Sequence, residues 1–302
     1  MPPPEPLSAR RGFLAGLTIA IAGAILFSTK AIVAKLIYRH DVDAVTLIAF
    51  RMLFALPFFA AVAIWQMKTA IPLSRGERWR VVALGLLGYY LSSFLDFLGL
   101  QYISAGLERL ILFLTPTFVL LISAFFLHKR IGRAEWGALI LSYLGTVLVF
   151  VHDATAGSNL LLGGSFVLGA AVAYAFYMLG SGELVRKVGT LRLVAYAMCV
   201  SSAACIAQFF LLRPVAMLVQ PMAVYGLSAV NAVLCTVMPV FLTMLAVEKI
   251  GAANTSQAGM VGPVSTLFLG ALILDEPITT IQLAGTALVM AGIWLLSQKK
   301  TA

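Results

Sequence analysis

Ten long apolar runs, almost free of charge, set what this chain can become. They fall at 13–38, 42–66, 79–102, 105–127, 134–151, 160–185, 191–212, 221–247, 251–274 and 279–297. Each is too long for a strand, and crossing a bilayer as a helix takes about 20 residues. In lipid only a helix satisfies its own backbone N–H and C=O groups, so the runs predict an all-α integral membrane bundle with ten crossings. The connections between them are short, for example Arg39-His40-Asp41 and Asp275-Glu276-Pro277. Composition points the same way. Of the 302 residues, 61% are apolar or aromatic and 11% are charged, against about 45–50% and 25% in soluble domains. So few polar groups cannot cover a globule, which excludes an ordinary cytosolic enzyme and a disordered chain. A nucleic-acid binder is excluded despite the net charge of +9, because no basic cluster has the polar, interleaved surroundings of a binding face.

Topology accounts for that charge. With the N-terminus in the cytoplasm, ten crossings return the C-terminus there. The cytoplasmic ends and loops then hold 15 of the Lys and Arg residues, and the outer side holds three, Arg39, Arg109 and Arg213. This is a positive-inside pattern, and adding or dropping one crossing would scramble it. Arg10-Arg11 before the first run faintly resembles a twin-arginine export signal. The run that follows is too long for a signal core, so a retained first span is expected.

The chain repeats itself. Between 98–145 and 245–292 a constant offset of 147 pairs Pro116 with Pro263 and Gly145 with Gly292, as well as Ala105 with Ala252 and Ile131 with Ile278. The first spans match more weakly near an offset of 149, through Ala22 with Ala171 and Phe27 with Phe176. Two halves of five spans, 13–151 and 160–297, follow. Because five is odd, the second half must lie upside down relative to the first. Inverted repeats are a recurrent plan of secondary transporters, in which substrate binds near the midplane where the halves meet.

Asp275-Glu276-Pro277-Ile278-Thr279, followed by Gln282, Gly285 and Gly292, resembles the end of an EamA domain. So do Phe50-Arg51 in the second run and the prolines Pro116 and Pro263. The two halves resemble two EamA modules of the drug/metabolite transporter superfamily, and are similar to bacterial exporters of amino acids, aromatic ones included. That resemblance implies ten helices, both termini inside and export of small metabolites. The first half departs from it at Lys129, which stands where the second half has Glu276.

Candidate site residues come from polar groups inside the runs. An ionisable group in lipid costs at least about 2.5–3.5 kcal/mol, so it faces a cavity or a partner. Lys30 or Arg51 is a candidate for a substrate carboxylate, and Asp96 for a substrate ammonium or a proton. The alternative is an Arg51–Asp96 ion pair, with Lys30 and Lys35 snorkelling outward. Glu108, Arg109 and Glu183 stand near run ends and read as interfacial or gate salt bridges. Tyr89, Tyr90, Phe94, Tyr174 and Tyr177 lie mid-span, where a tyrosine hydroxyl needs a partner; a substrate cavity or helix-to-helix contact would each supply one. Tyr174 and Tyr177 share a helix face by their spacing. Asn231 and Gln257 should face the interior. Pro116 and Pro263 read as hinges, as sources of free carbonyls, or as packing kinks. Trp65, Trp79, Trp136 and Trp294 read as interface anchors, and Gly12, Gly16, Ala20 and Ala24 as a face for close helix approach.

Cys199, Cys205 and Cys235 lack paired spacing, and His40, His128 and His152 lie in loops, so neither a disulfide framework nor a metal or other cofactor is expected. No Walker loop offers ATP chemistry. The expectation is a carrier of the inner membrane, exporting an amino acid or similar amphiphilic metabolite by alternating access. Gradient-driven transport is the main reading, with proton antiport through Asp96 as its alternative. The partners expected are the small-molecule substrate and the lipid bilayer; monomer and homo-oligomer both stay open. A membrane enzyme would need a His or acid cluster at one face, which the sequence lacks; a channel and a non-transporting scaffold are the other rivals.

Overall fold

In the computed structural model each apolar run is helical over most of its length, and the described residues contain no strand. The structure describes residues 7–69, 71–126, 128, 132–154 and 159–297, with the backbone alone described at 7–11, 133–135, 151–154, 252, 253, 256, 257, 296 and 297. Lys129 and the side chains of Arg10, Arg11 and Gln257 therefore lie outside the described residues. The helices are α1 (Leu7–Tyr38), α2 (Ala44–Thr69), α3 (Arg75–Leu100), α4 (Ala105–Phe126), α5 (Arg133–Ala154), α6 (Leu160–Val188), α7 (Thr190–Leu212), α8 (Met222–Gly251), α9 (Val261–Leu274) and α10 (Thr280–Ser297). A helical stretch, 252–258, joins α8 to α9. Among the described residues seven helices are long and apolar enough to cross a membrane: α1 to α4 and α6 to α8. The apolar parts of α5, α9 and α10 are shorter. Large apolar side chains such as Leu161, Leu211 and Leu272 remain 76–83% exposed on the circumference, as a lipid-facing surface requires.

Helix ends follow local chemistry. Ser74 and Glu77 form a reciprocal capping box that starts α3, satisfying two of the amides that a helix N-terminus leaves free. Thr279 and Gln282 exchange the same pair of bonds, each 3.2 Å, at the start of α10. Gly189 (φ 82°) makes the one-residue corner between α6 and α7, and Gly251 (φ 80°) makes the corner after α8. Both have ψ near 150–161°, a region open essentially to glycine alone.

The repeat is visible in packing. α1 packs on α8 and α9, while α6 packs on α3 and α4; α2 packs on α8, while α7 packs on α3; α2 meets α7, and α5 meets α10. Exchanging the halves leaves this pattern unchanged. With five helices in each half, every helix runs opposite to its counterpart. The halves also share their irregularities. A π-helical turn interrupts α3 at Gly85–Leu91 and α8 at Val233–Val237. α4 breaks at Phe113-Leu114, and the 252–258 stretch breaks from α9 at Gly259-Met260. Pro116 and Pro263 lie in the first turn after those breaks. There a missing N–H costs nothing, so each proline opens a helix instead of interrupting one. At the α5–α10 contact a Cβ on Gly145 would lie 2.5 Å from the Gly285 carbonyl oxygen, and one on Gly292 would lie 2.7 Å from the Ala138 carbonyl oxygen. Glycine at these places lets the two backbones touch.

The bundle is closed at the end remote from the start of α1 and the finish of α10. Ile37, Leu47, Phe97, Leu100 and Val224 belong to one buried core there. Tyr38 donates a 2.7 Å hydrogen bond to the Phe97 carbonyl, and Arg39 donates one of 3.2 Å to the Leu274 carbonyl. Arg213 pairs with Asp43. The Asp275-Glu276-Pro277 corner forms a joint between the halves. Asp275 closes α9 in the left-handed conformation (φ 59°), and Glu276 accepts 3.1 Å from the Ala105 amide at the start of α4.

Candidate substrate site

Between the halves lies a cavity of about 600 Å³. All helices but α5 and α9 contribute to its wall, and the 252–260 segment before α9 adds Thr255, Gly259 and Met260. Its lining runs from Arg51 and Asp96 near the closed end to Thr190, Val247 and Thr255 near the end where α1 begins, so it faces that end.

Five charged side chains gather at the closed end. Lys30 (4% exposed), Arg51 (4%), Asp96 (4%), Glu108 (0%) and Arg109 (6%) are all buried. Lys30 Nζ pairs with Asp96 Oδ2 and stands 3.2 Å from Glu108 Oε1. Arg51 donates from Nε to Thr236 Oγ1 (2.8 Å), and Arg109 from Nη2 to Ser28 Oγ (3.2 Å). Aromatic rings separate the cations. The Phe97 centroid lies 4.9 Å from Arg51 Cζ and 5.4 Å from Lys30 Nζ. The Phe27 centroid lies 5.4 Å from Lys30 Nζ and 5.0 Å from Arg109 Cζ. A ring face stabilises a desolvated cation and keeps neighbouring cations apart.

The site is built across the seam. The π-turn in α8 lets Thr236 donate 2.9 Å to the Asn231 carbonyl while it accepts from Arg51. Asn231 itself is fully buried and donates 3.3 Å to the Lys30 carbonyl. A Cβ on Gly262, at the start of α9, would lie 2.7 Å from Arg109 Nη2. On the other wall Tyr89, in the π-turn of α3, shares a 3.2 Å hydroxyl contact with Tyr177 of α6. Tyr174 stacks on Tyr177 with centroids 5.4 Å apart. Thus Arg51 and the Tyr89–Tyr177 pair find their partners across the halves, whereas the Lys30–Asp96–Glu108 cluster and the Arg109–Ser28 bond lie within the first half.

Of the residues singled out from sequence, Lys30, Arg51, Tyr89, Asp96, Pro116, Tyr174 and Tyr177 line the cavity. Tyr90 and Phe94 stack on each other beside the core and are not part of the lining, nor are Asn231 and Pro263. Asp96 pairs with Lys30, so the Arg51–Asp96 ion pair read from sequence gives way to Lys30–Asp96. Arg51 takes a hydroxyl partner instead. Of the reading of Glu108 and Arg109 as interfacial or gate salt bridges, the interfacial part is overturned, since both are buried, while Glu108 does pair with Lys30 at the closed end. The first turn of α4 is tucked under the Glu276 corner, and both side chains point to the seam. The offset of 147 held a signal for them: it sets Glu108 against Thr255 and Arg109 against Ser256, charges that the repeat does not preserve. Phe27 carries only a repeat match in the sequence, because one apolar ring in an apolar run gives no sign of a place in the site. Glu183 is exposed and pairs with Arg80 (3.3 Å) and Lys187 (2.9 Å). Among the described residues no group of His, Cys, Asp and Glu is arranged to hold a metal.

Comparison with known proteins places this geometry. The model of the EamA-like transporter family matches residues 14–151 and again 161–298. The uncharacterized transporter YcbK of Bacillus subtilis is 31% identical over 287 residues, covering 93% of this chain and 92% of its own. An uncharacterized transporter of Archaeoglobus fulgidus is 27% identical over 260 residues, covering 82% and 92%. A solved crystal structure superposes with a TM-score of 0.64 over 93% of this chain and 96% of its own at 18% identity, which shows a shared fold.

Proposed function

The chain belongs to the EamA-like transporter family, and from that premise we propose that it is a secondary carrier exporting a small amphiphilic metabolite, an amino acid above all, across a bacterial inner membrane. The single observation that carries this reading is the seam cavity, open toward one end and closed at the other by side chains of both halves. A pore would be continuous; a pocket closed at one end belongs to one state of an alternating carrier. The duplicated π-turns and helix breaks support the mirror-image state, because each half carries the same joints. The two modules, 13–151 and 160–297, would rock about the α2–α7 and α5–α10 contacts. Tyr89, Tyr174 and Tyr177 supply the apolar body of the site, and the buried charges supply its polar end. The positive-inside count supports an open end at the cytoplasm, with both termini there.

The test is counterflow in liposomes of the purified protein: labelled amino acid outside, a panel of unlabelled amino acids and drugs inside. A carrier gives transient, saturable accumulation with at least one of them. Passive, non-saturable leakage with every solute would mean a channel, and no flux at all would mean a scaffold. A second reading, substrate–proton antiport, is favoured by the two carboxylates that share the Lys30 ammonium. Accumulation driven by a pH gradient without counter-substrate would select it.

A further inference from the structure

The carrier reading leaves open which chemical group of the substrate is recognised. Charge balance and unmet hydrogen bonds at the closed end of the cavity address that. Among the described lining residues three are cationic, Lys30, Arg51 and Arg109, and one is acidic, Asp96. Glu108 contacts Lys30 from outside the lining and brings the sum of the five to +1. Lys30 is engaged by both carboxylates, and a short, strongly hydrated ammonium held that way has little left to offer. The arginines are engaged differently. Each makes a hydrogen bond to a neutral hydroxyl, and each keeps a buried nitrogen with no partner, Nη1 of Arg51 and Nε of Arg109. Both side chains are more than nine-tenths buried, and both line the cavity. An unmet donor on a buried cation is costly, and an arriving anion relieves that cost with charge-assisted bonds that guanidinium geometry favours.

We propose that Arg51 and Arg109 form a carboxylate site, so that the carrier recognises amphiphilic organic acids by the acid group and does not require an ammonium. The proposal rests on the carrier reading and narrows it: amino acids are substrates because they are carboxylates. The remainder of the cavity suits the rest of such a molecule. Phe113, Tyr174, Met198, Met244 and Met260 line the way from the charged end toward the opening. Thioether and aromatic side chains adapt to varied apolar bodies. Asp96 Oδ1 is a buried acceptor without a partner. It can take an ammonium when one is present, but Asp96 is already held by Lys30, so that contact adds selectivity among acids and is not the anchor.

The test compares matched acid and amine probes on the purified wild-type protein in detergent, read by thermal unfolding, and again as competitors of counterflow in liposomes. The probes are 3-phenylpropionate against 2-phenylethylamine, and hexanoate against hexylamine, with phenylalanine as the reference. The expected result is that the acids stabilise the fold and compete with phenylalanine, at least about tenfold better than their amine partners. Arg109→Gln and Arg51→Lys should each erase most of that difference, and a circular dichroism spectrum unchanged from wild type shows that the variant is folded. Amines that stabilise and compete as well as the acids overturn the proposal, as does acid binding undiminished in both variants. The wild-type comparison needs no variant, so a misfolded one does not block the result. Acid-specific stabilisation without any counterflow would uphold the carboxylate site while contradicting the carrier reading.

Discussion

Where the first half carries Glu108 and Arg109, the second carries Thr255 and Ser256; against Asp96 stands Thr243, and against Lys30 stands Leu179. The backbones of the same two halves agree in their π-turns, their broken helices and the proline after each break. The difference teaches that the two jobs of the molecule are distributed unequally. The backbone joints are duplicated, as the proposed alternating exposure, which uses the same joint in both directions, requires. The charge cluster is not duplicated, which fits the proposal that one such site serves both states. Inversion sends equivalent positions to opposite ends of the cavity. Thr243 and Thr255 therefore line the open end, while the charges line the closed one. On the proposed carrier reading, a solute entering from the open end would meet hydroxyls first and charges last, and from the other side the order would reverse.

The comparison breaks most visibly if its charged member is neutralised. Lys30→Met leaves Asp96 and Glu108 facing each other without an ammonium. Removing one partner of a buried ion pair costs about 3–5 kcal/mol, so folded yield and thermal stability should drop sharply and counterflow should vanish. Leu179→Met at the equivalent place should cost less than about 1.5 kcal/mol. Equal thermal shifts for the two would deny the asymmetry. Restoring balance with Lys30→Met plus Glu108→Gln should recover part of the lost stability.

Next in size is the joint. Glu276→Ala removes the acceptor of the Ala105 amide, a charge-assisted bond of about 1.5–3 kcal/mol. It should loosen the closed end, raising its reactivity toward impermeant reagents roughly tenfold or more. A smaller effect is expected at the tyrosine wall. Tyr177→Phe loses the 3.2 Å contact to Tyr89, worth about 1 kcal/mol, and should raise the half-saturating substrate concentration about fivefold with the maximal rate nearly kept. Smallest is the exposed Glu183. Glu183→Gln breaks the pairs with Arg80 and Lys187, and its thermal shift should stay within about 0.5–1 kcal/mol, the range of surface ion pairs.

Helices and their order were legible because hydropathy is a property of whole runs, and the runs at 105–127 and 251–274 already enclosed α4 and α9. The breaks inside them were not legible. Phe113-Leu114 and Gly259-Met260 are as apolar as their neighbours, and a π-turn changes hydrogen-bond register without changing composition. The charged residues within spans were visible as anomalies, but their partners were not. Which carboxylate meets Lys30 depends on how α1, α3 and α4 cross, and Arg51 finds Thr236 only because α8 bulges there. Glu108 and Arg109 were misplaced because a charge a few residues into a span normally sits at an interface, and here the Glu276 corner covers that end.

Access to the cavity from each side of the membrane tests the central claim most directly. In a background lacking Cys199, Cys205 and Cys235, a single cysteine is placed at Ser93, which lines the cavity. An impermeant thiol reagent is then applied to sealed vesicles from either face. Alternating exposure predicts labelling from both faces, with the outer rate raised by Glu276→Ala and lowered when transport is arrested in the present state. Labelling from one face only, unchanged by that substitution, would contradict it.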